Sequence, residues 1–160
     1  MKTSQILQWC GALAAEAPTL QEAEGLLGIE RRRLGPRTIE LNPVDPRFEA
    51  IQIEVSPAGL WSGLSVTLRA DEKLEREQLR KRFGDPRQVP RPIDLHDPSF
   101  VNEITIFDWR ERTLLLGVLH RPFGAETSVV HVHSLLLRRL SEADAREWRE
   151  AAAVPGDVSA

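Results

Sequence analysis

The pair His131 and His133 is the feature of this sequence that most resembles a metal-binding motif. Alternate residues of a β-strand point to the same face of a sheet, and imidazole nitrogens are good zinc ligands. A site would need a third ligand, and Asp108 is the carboxylate that neighbouring strands could bring beside the two histidines. An H-x-H pair with one carboxylate falls short of a zinc signature, so we expect no metal and no other cofactor. A small enzyme or metal-dependent protein that uses Asp108, His131 and His133 is the second hypothesis for function.

Signatures of nucleophilic catalysis and of nucleotide binding are absent from the sequence. Cys10 is the single cysteine, and it lies in a stretch with helical periodicity, where a buried thiol is the ordinary interpretation. No serine lies in a G-x-S-x-G turn, and the glycines form neither a G-x-G-x-x-G loop nor a phosphate-binding loop. We therefore expect a binding protein rather than an enzyme.

The charge balance argues against polyanionic partners. The chain of 160 residues has 28% charged residues and a formal net charge of -3, so no general attraction to nucleic acid or to an anionic membrane is expected. Gln5 and Gln8 interrupt the apolar stretch that a signal peptide would need, and no stretch reaches transmembrane length. These features predict a cytoplasmic protein.

Two basic segments resemble each other, RRRLGPR at 31–37 and RKRFGDPR at 80–87. In each, cations precede a glycine and a proline. That order is typical of a helix C-terminus, where positive charge complements the helix dipole. A proline-rich connector and then an alternating strand follow both segments, so the likeness predicts a tandem repeat.

Periodicity gives the elements of the first half. An N-terminal helix closed by Pro18 precedes a second helix, which Thr19 begins with a capping-box pattern. Alternating residues at 51–55 and 60–68, joined by the turn SPAG, predict a hairpin with one polar face. Trp61 falls on that polar face, where an exposed indole suggests a contact residue.

The second half repeats this plan with a larger sheet. A helix with Asp71 as its N-cap leads to three predicted strands at about 100–109, 112–120 and 126–137. If the turns are tight, cross-strand neighbours form two rows on one face. The first row would be Asp108, Thr113 and His133, and the next Ile106, Leu115 and His131. The opposite face, which carries Phe107, Leu114 and Val132, would be buried under helices.

The predicted fold class is α+β, with two tandem helix-plus-antiparallel-strand repeats forming one sheet and helices packed on one face. A single domain would span 1–154. Repeat one would cover about 19–70, repeat two about 71–137 and a closing helix 141–153, and the tail 155–160 would be flexible.

A sheet face with apolar and aromatic residues inside a charged rim has the anatomy of a protein interface. The predicted partner-binding residues are Trp61, Ile106, Asp108, Leu115, His131 and His133. A rim toward an anionic partner would be formed by Arg31, Arg32, Arg33, Arg80 and Arg82. The expected partner is a protein, such as a toxin, an effector or an enzyme, which this chain neutralises or escorts. A homodimer is left open, and so is burial of this face under a further helix.

Two families have a similar layout. The tandem helix, Gly-Asp-Pro connector and antiparallel strands, seen in Phe83-Gly84-Asp85-Pro86 and more loosely in Leu34-Gly35-Pro36, resemble the repeats of β-lactamase inhibitor proteins over about 19–137. That resemblance implies a sheet that grips a partner enzyme, although those proteins are secreted and disulfide-linked. The small size, the acidic balance and the ending LLLRRLSEADAREWREAA are also similar to cytoplasmic chaperones of type III secretion, which bind an effector segment as dimers. The long connector from Pro86 to Pro98 departs from that second family.

Overall fold

The structure is a computed structural model that describes residues 1–88, 101–120 and 132–153. Its helices are α1 (Thr3–Leu13), α2 (Leu20–Leu27), α3 (Arg76–Phe83) and α4 (Glu142–Ala153). Its strands are β1 (Glu30–Arg33), β2 (Thr38–Leu41), β3 (Phe48–Val55), β4 (Trp61–Leu68), β5 (Arg87–Gln88), β6 (Val101–Trp109), β7 (Arg112–His120) and β8 (Val132–Arg139). The strands of the described ranges form one antiparallel sheet in the order β1-β2-β3-β4-β8-β7-β6-β5. The α+β class and the single antiparallel sheet are therefore confirmed.

The strand order places two similar halves side by side. In each half a helix, α2 or α3, precedes four strands that are neighbours in chain order. Antiparallel strands that are adjacent both in the chain and in the sheet can be joined without a crossover connection. The last strands of the two halves, β4 and β8, pair with each other and make the sheet continuous.

The core lies on the inner face of the sheet, which we define as the face packed against α1, α2 and α3. One cross-strand row on this face runs through Ile39, Ile53, Leu64, Leu137 and Leu116, and each of these side chains is at most 1% exposed. Helix α1 adds Ile6, Trp9, Cys10 and Leu13, whose three- and four-residue spacing puts them on one side of the helix. Apolar periodicity on both partners thus accounts for the packing.

The opposite, outer face changes character along the sheet. Its neighbouring row runs through Gln52, Ser65, Leu136, Gly117 and Ile104, so it is polar on β3 and β4 and apolar toward β6. Leu140 and Ala145, before and within α4, cluster with Leu115 on the apolar end. Helices therefore lie on both faces, and the expectation of helices on one face is wrong for α4. The run of leucines at 114–116 makes both sides of β7 apolar, and both need cover.

The first basic triplet forms a strand and not a helix end. Helix α2 stops at Leu27, and Gly28 turns the chain with a φ of 140°. A Cβ at Gly28 would lie 1.7 Å from the carbonyl oxygen of Asn42, so only glycine fits where β1 turns back beside β2. Arg32 and Arg33 consequently pair with β2, and Arg31 lies at the register shift between Glu30 and Arg32.

The second basic triplet lies in the last turn of α3, as predicted, with Gly84 following it. The start of this helix differs from the expected Asp71. Glu75 is the N-cap instead, and its side chain forms a reciprocal capping box with Gln78. The closing helix is confirmed as α4, whose first turn is capped by the hydroxyl of Ser141. The predicted tail at 155–160 lies outside the described residues.

Candidate functional site

Trp61 is a core residue and not a contact residue. Its side chain is 0% exposed, and its Nε1 donates to the carbonyl oxygen of Gly63 at 2.9 Å. Its own N–H donates to Pro18 O, which ties the end of the N-terminal region to β4. The alternation at 60–68 predicts Trp61 on the polar face, but the register of β3 and β4 shifts between Glu54 and Val55, next to Trp61. Such an irregularity changes which face the residues at the start of the strand point to.

The histidine rows predicted across the second half are wrong. Ile106 does pair with Leu115, and Asp108 with Thr113, but Leu115 pairs with Arg138 instead of His131. The prediction of these rows assumed a tight turn after β7. In the structure β7 ends at His120 and β8 begins only at Val132, so the register of β8 differs from the predicted one. His131 itself lies outside the described residues.

Asp108 and His133 therefore lie at opposite ends of the strands, measured along the strand direction. Thr113, the partner of Asp108, accepts a backbone hydrogen bond from Leu140. His133 is half-buried beside the irregularity near His120. The distance along β8 from Leu140 to His133 is roughly 20 Å at the usual rise per residue. This separation is too great for Asp108 and His133 to share one metal ion or one catalytic site, which the second hypothesis for function requires.

Helix α4 covers two of the predicted partner-binding residues, Leu115 and Ile106. Leu115 is only 2% exposed, and Ile106 is half-buried in the same cluster beneath α4. Asp108 is exposed at the edge of this contact, where it accepts a hydrogen bond from Arg149 of α4 at 2.7 Å and another from Thr113 at 3.0 Å. These three side chains border an open groove of about 600 Å³ whose lining is mostly charged. Asp108 thus helps to hold α4 in place.

The five predicted rim arginines separate into different environments. Arg31, Arg32 and Arg33 lie exposed on β1, where Arg32 pairs with Glu40 and Arg33 with Glu30. Arg82 is exposed on α3, whereas Arg80 points a partly buried guanidinium toward Glu103. They do not form one rim.

A buried ionic cluster joins α3 to β6 and β7, and sequence reasoning missed it. Glu103 is 3% exposed and His120 is 2% exposed. The Nε2 atom of His120 lies 3.0 Å from Oε2 of Glu103, and Arg76 donates to both carboxylate oxygens. Arg80 approaches the same carboxylate at 3.7 Å. The alternation Glu103, Thr105, Phe107 was the available signal, because it places Glu103 on the same face as the predicted core residue Phe107.

The protonation states of this cluster follow from burial and pairing. Burial lowers the pKa of His120, and the attraction of Glu103 does not restore it to the ordinary value of 6.5. Burial tends to raise the pKa of Glu103, but its hydrogen bonds to Arg76 and His120 outweigh that and hold it below 4.5. The cluster therefore contains an ionised carboxylate and a neutral imidazole at neutral pH.

In the part of the chain that the structure describes, the space beside the cluster is small. The cavity that it lines together with Gly84 and Pro86 measures about 10 Å³, which is about the space that one water molecule needs. A Glu-His pair can transfer protons, but it needs a reactant within hydrogen-bond reach. The arrangement is suited to holding α3 on a sheet that it contacts through few apolar residues, of which Leu79 and Phe83 are buried.

The polar end of the outer face is accessible in the described ranges, and it is a surface that the predicted partner-binding residues did not include. Gln52 is exposed, and Ser65, Thr67 and Ser134 are half-buried around it. Arg138 of β8 reaches across β4 to Glu54 of β3, with nitrogen to oxygen distances of 2.7 and 3.0 Å. The strand between them carries Gly63, where a Cβ would lie 3.2 Å from Oε2 of Glu54. The result is a polar surface with small side chains on β4, bordered by two ion pairs, Arg138 with Glu54 and Arg32 with Glu40.

Comparison of the chain with protein-family models, with curated proteins and with solved structures found no match. In the described ranges no helix is long and apolar enough to cross a membrane. The same ranges contain no group of three or more His, Cys, Asp or Glu side chains placed to hold a metal ion.

Proposed function

We propose that this chain is a non-enzymatic, cytoplasmic protein that binds another protein through the polar end of its outer sheet face. Binding would occlude the partner, either neutralising a toxin or enzyme or escorting an effector. The layout-level resemblance to inhibitor proteins favours the first role, and that to secretion chaperones favours the second.

One observation carries the proposal. In the part of the chain that the structure describes, α4 packs on the apolar end of the outer face, while the polar end on β3 and β4 has no helix packed on it. Small side chains such as Ser65 and Thr67 let a partner approach the strands closely, and the rigid sheet below requires little ordering on binding. A surface of this kind is suited to shape recognition.

The chemistry of the described side chains supports binding over catalysis. The titratable cluster with perturbed pKa values, around Glu103 and His120, faces a cavity of about 10 Å³ beneath α3. The open groove beside Asp108 is lined by charges of both signs, and the ion pair of Asp108 with Arg149 joins α4 to the sheet.

The test uses two glutamines that receive the same substitution. Gln52→Arg places a long cation on the outer face, and Gln21→Arg places it on an exposed position of α2, on the other side of the sheet. Each tagged protein is used to capture partners from its own host, captured proteins are quantified by mass spectrometry, and bound metal is measured in the same eluate. Circular dichroism and urea unfolding confirm that both variants fold.

The expected result is a stoichiometric partner captured by the wild type and by Gln21→Arg, and reduced about tenfold or more with Gln52→Arg. Equal capture by all three proteins would show that the outer face is not the interface. A protein recovered without a partner, or with one equivalent of metal, would overturn the binding function itself.

A further inference from the structure

Exposed apolar side chains are concentrated at one edge of the sheet. In the described ranges the exposed large apolar residues are Ile29, Leu34, Val44 and Trp148. Ile29 and Leu34 flank β1 directly and are 66% and 44% exposed. Val44 is 69% exposed and lies at the same edge, because its N–H donates to Leu27 O just before β1. Scattered exposure is ordinary, but three such residues around one strand indicate a contact surface.

The same strand has main-chain groups available for pairing. Strand β1 is an edge of the sheet, and all of its residues are exposed. Leu34 N–H donates to Thr38 O at 2.9 Å, so the alternation of an antiparallel ladder turns the N–H and C=O of Arg33 away from β2. At the other end Asn42 N–H donates to Ile29 O, which turns the main-chain groups of Glu30 outward by the same rule. An added strand would find donors and acceptors at both positions.

The charge at this edge is opposite to that of the whole chain. Arg31, Arg32, Arg33 and Arg37 are exposed here. Glu40 pairs with Arg32, and Glu30 pairs with Arg33. Arg31 and Arg37 are left in excess on a protein whose net charge is -3. An acidic partner therefore has a local attraction at this edge that the net charge of the chain does not suggest.

We propose that β1 is a docking strand for an extended acidic segment of the partner protein, which adds to the sheet beside β1. Acidic side chains would face the arginines, and apolar residues would contact Ile29 and Leu34, as in recognition by strand addition. This inference rests on the proposed function, since it specifies the chemistry of the partner.

The features that select an acidic strand also reject other strands. Short length, charge and a bulge are devices that protect sheet edges from pairing, and β1 has all of them, with its register shift between Glu30 and Arg32. A second copy paired along β1 would bring like charges together across the new ladder. A basic edge of this kind thus discriminates in favour of a strand of opposite charge.

The experiment measures fluorescence anisotropy with a labelled heptapeptide of alternating valine and glutamate. Controls are the valine-lysine peptide, a valine-glutamate peptide N-methylated on the residues that face β1, and a single-stranded oligonucleotide. The double variant Arg31→Glu/Arg33→Glu reverses the edge charge. Lys81→Glu/Arg82→Glu makes the same change in net charge on exposed positions of α3.

We expect the acidic peptide to bind the wild type, and the β1 variant to weaken that binding by about tenfold or more, because two close charge pairs are lost and replaced by repulsion. The α3 variant should change it by less than about threefold, since distant charges are screened. The N-methylated peptide should not bind. Equal binding of acidic and basic peptides, no effect of N-methylation, equal weakening by both variants, or tighter binding of the oligonucleotide would each overturn the inference. If a partner isolated through the outer-face test binds the β1 variant as tightly as the wild type, the docking strand is refuted while the binding function stands.

Discussion

The Nε2 atom of His120 lies 3.0 Å from Oε2 of Glu103, beneath α3 and away from solvent. The pair is part of the attachment of α3 to the sheet, because Arg76 of that helix donates to the same carboxylate. The stability of the fold should therefore depend on the protonation of these two side chains.

Acidification should lower the free energy of unfolding through His120. Its pKa in the folded protein is below the ordinary value of 6.5, first because of burial and then because Arg76 and Arg80 are close. Below pH 6.5 His120 binds a proton in the unfolded chain but not yet in the folded chain. The contribution of His120 to the free energy of unfolding is therefore fully present above pH 6.5 and falls as the pH decreases. Glu103 adds a loss in the same direction below 4.5, as the pH approaches its lowered pKa.

Urea unfolding at about pH 7, 6 and 5 tests this dependence, since the slope reports the difference in bound protons. His120→Asn should be less stable at neutral pH but should lose less stability between the first and last of these conditions than the wild type does. Gln52→Asn, which introduces the same residue on the outer face, should keep the wild-type slope. A wild-type slope in His120→Asn would contradict the assignment.

Removing the charge of Glu103 should be costly. Glu103→Gln keeps the side-chain shape but leaves Arg76 and Arg80 without their carboxylate in a buried setting. We expect a loss of about 2 to 3 kcal/mol, below the range for fully buried pairs because both arginines are partly exposed. Glu77→Gln on the same helix, where the side chain is 66% exposed, should cost less than about 0.5 kcal/mol. Chemical denaturation of the two variants measures both values, and equal losses would show that the cluster does not hold α3.

Two tryptophans should respond to the same substitution with losses of stability of very different size. Trp61→Phe removes buried volume and the hydrogen bond to Gly63 O, and we expect it to destabilise the fold by about 2 kcal/mol. Trp148→Phe on α4, where the side chain is 38% exposed, should change the stability by less than about 0.5 kcal/mol. Thermal unfolding of both variants gives the comparison. A neutral Trp61→Phe would restore Trp61 as a candidate surface residue.

Local patterns predicted much of this fold, because they depend on residues close in the chain. The spacing of Ile6, Trp9 and Leu13 gave α1, and alternation gave the hairpin of β3 and β4 as well as the pairing of Ile106 with Leu115. The α+β class follows from the order of these elements. Such patterns carry both the period and the buried face of an element.

The candidate site was less predictable, because it depends on pairing between distant segments. The register of β8 on β7 depends on the start of β8 at Val132. The expected tight turn placed His131 opposite Leu115, and in the structure Arg138 has that position. Trp61 is buried where the chain at Pro18 contacts β4, and Leu115 is buried by α4. Neither contact can be predicted from the residues next to Trp61 or Leu115 in the sequence. Register and cover are long-range properties, and a small error in strand pairing moves every side chain.

The turn between β6 and β7 offers a substitution that should stabilise the protein. Arg110 has a φ of 57° in the two-residue turn that joins Trp109 to Arg112. A side chain in this left-handed region is crowded against its own backbone, and glycine avoids that strain. Arg110→Gly should therefore raise the free energy of unfolding by about 0.5 kcal/mol, after the greater flexibility of glycine in the unfolded chain is subtracted. Glu111→Gly, at a neighbour without a positive φ, gains no relief of strain and should lower stability by about 0.5 kcal/mol. Opposite signs for these adjacent substitutions in urea unfolding would establish local strain at Arg110, whereas a loss in both would mean that the side chain of Arg110 contributes more to the turn than its backbone costs.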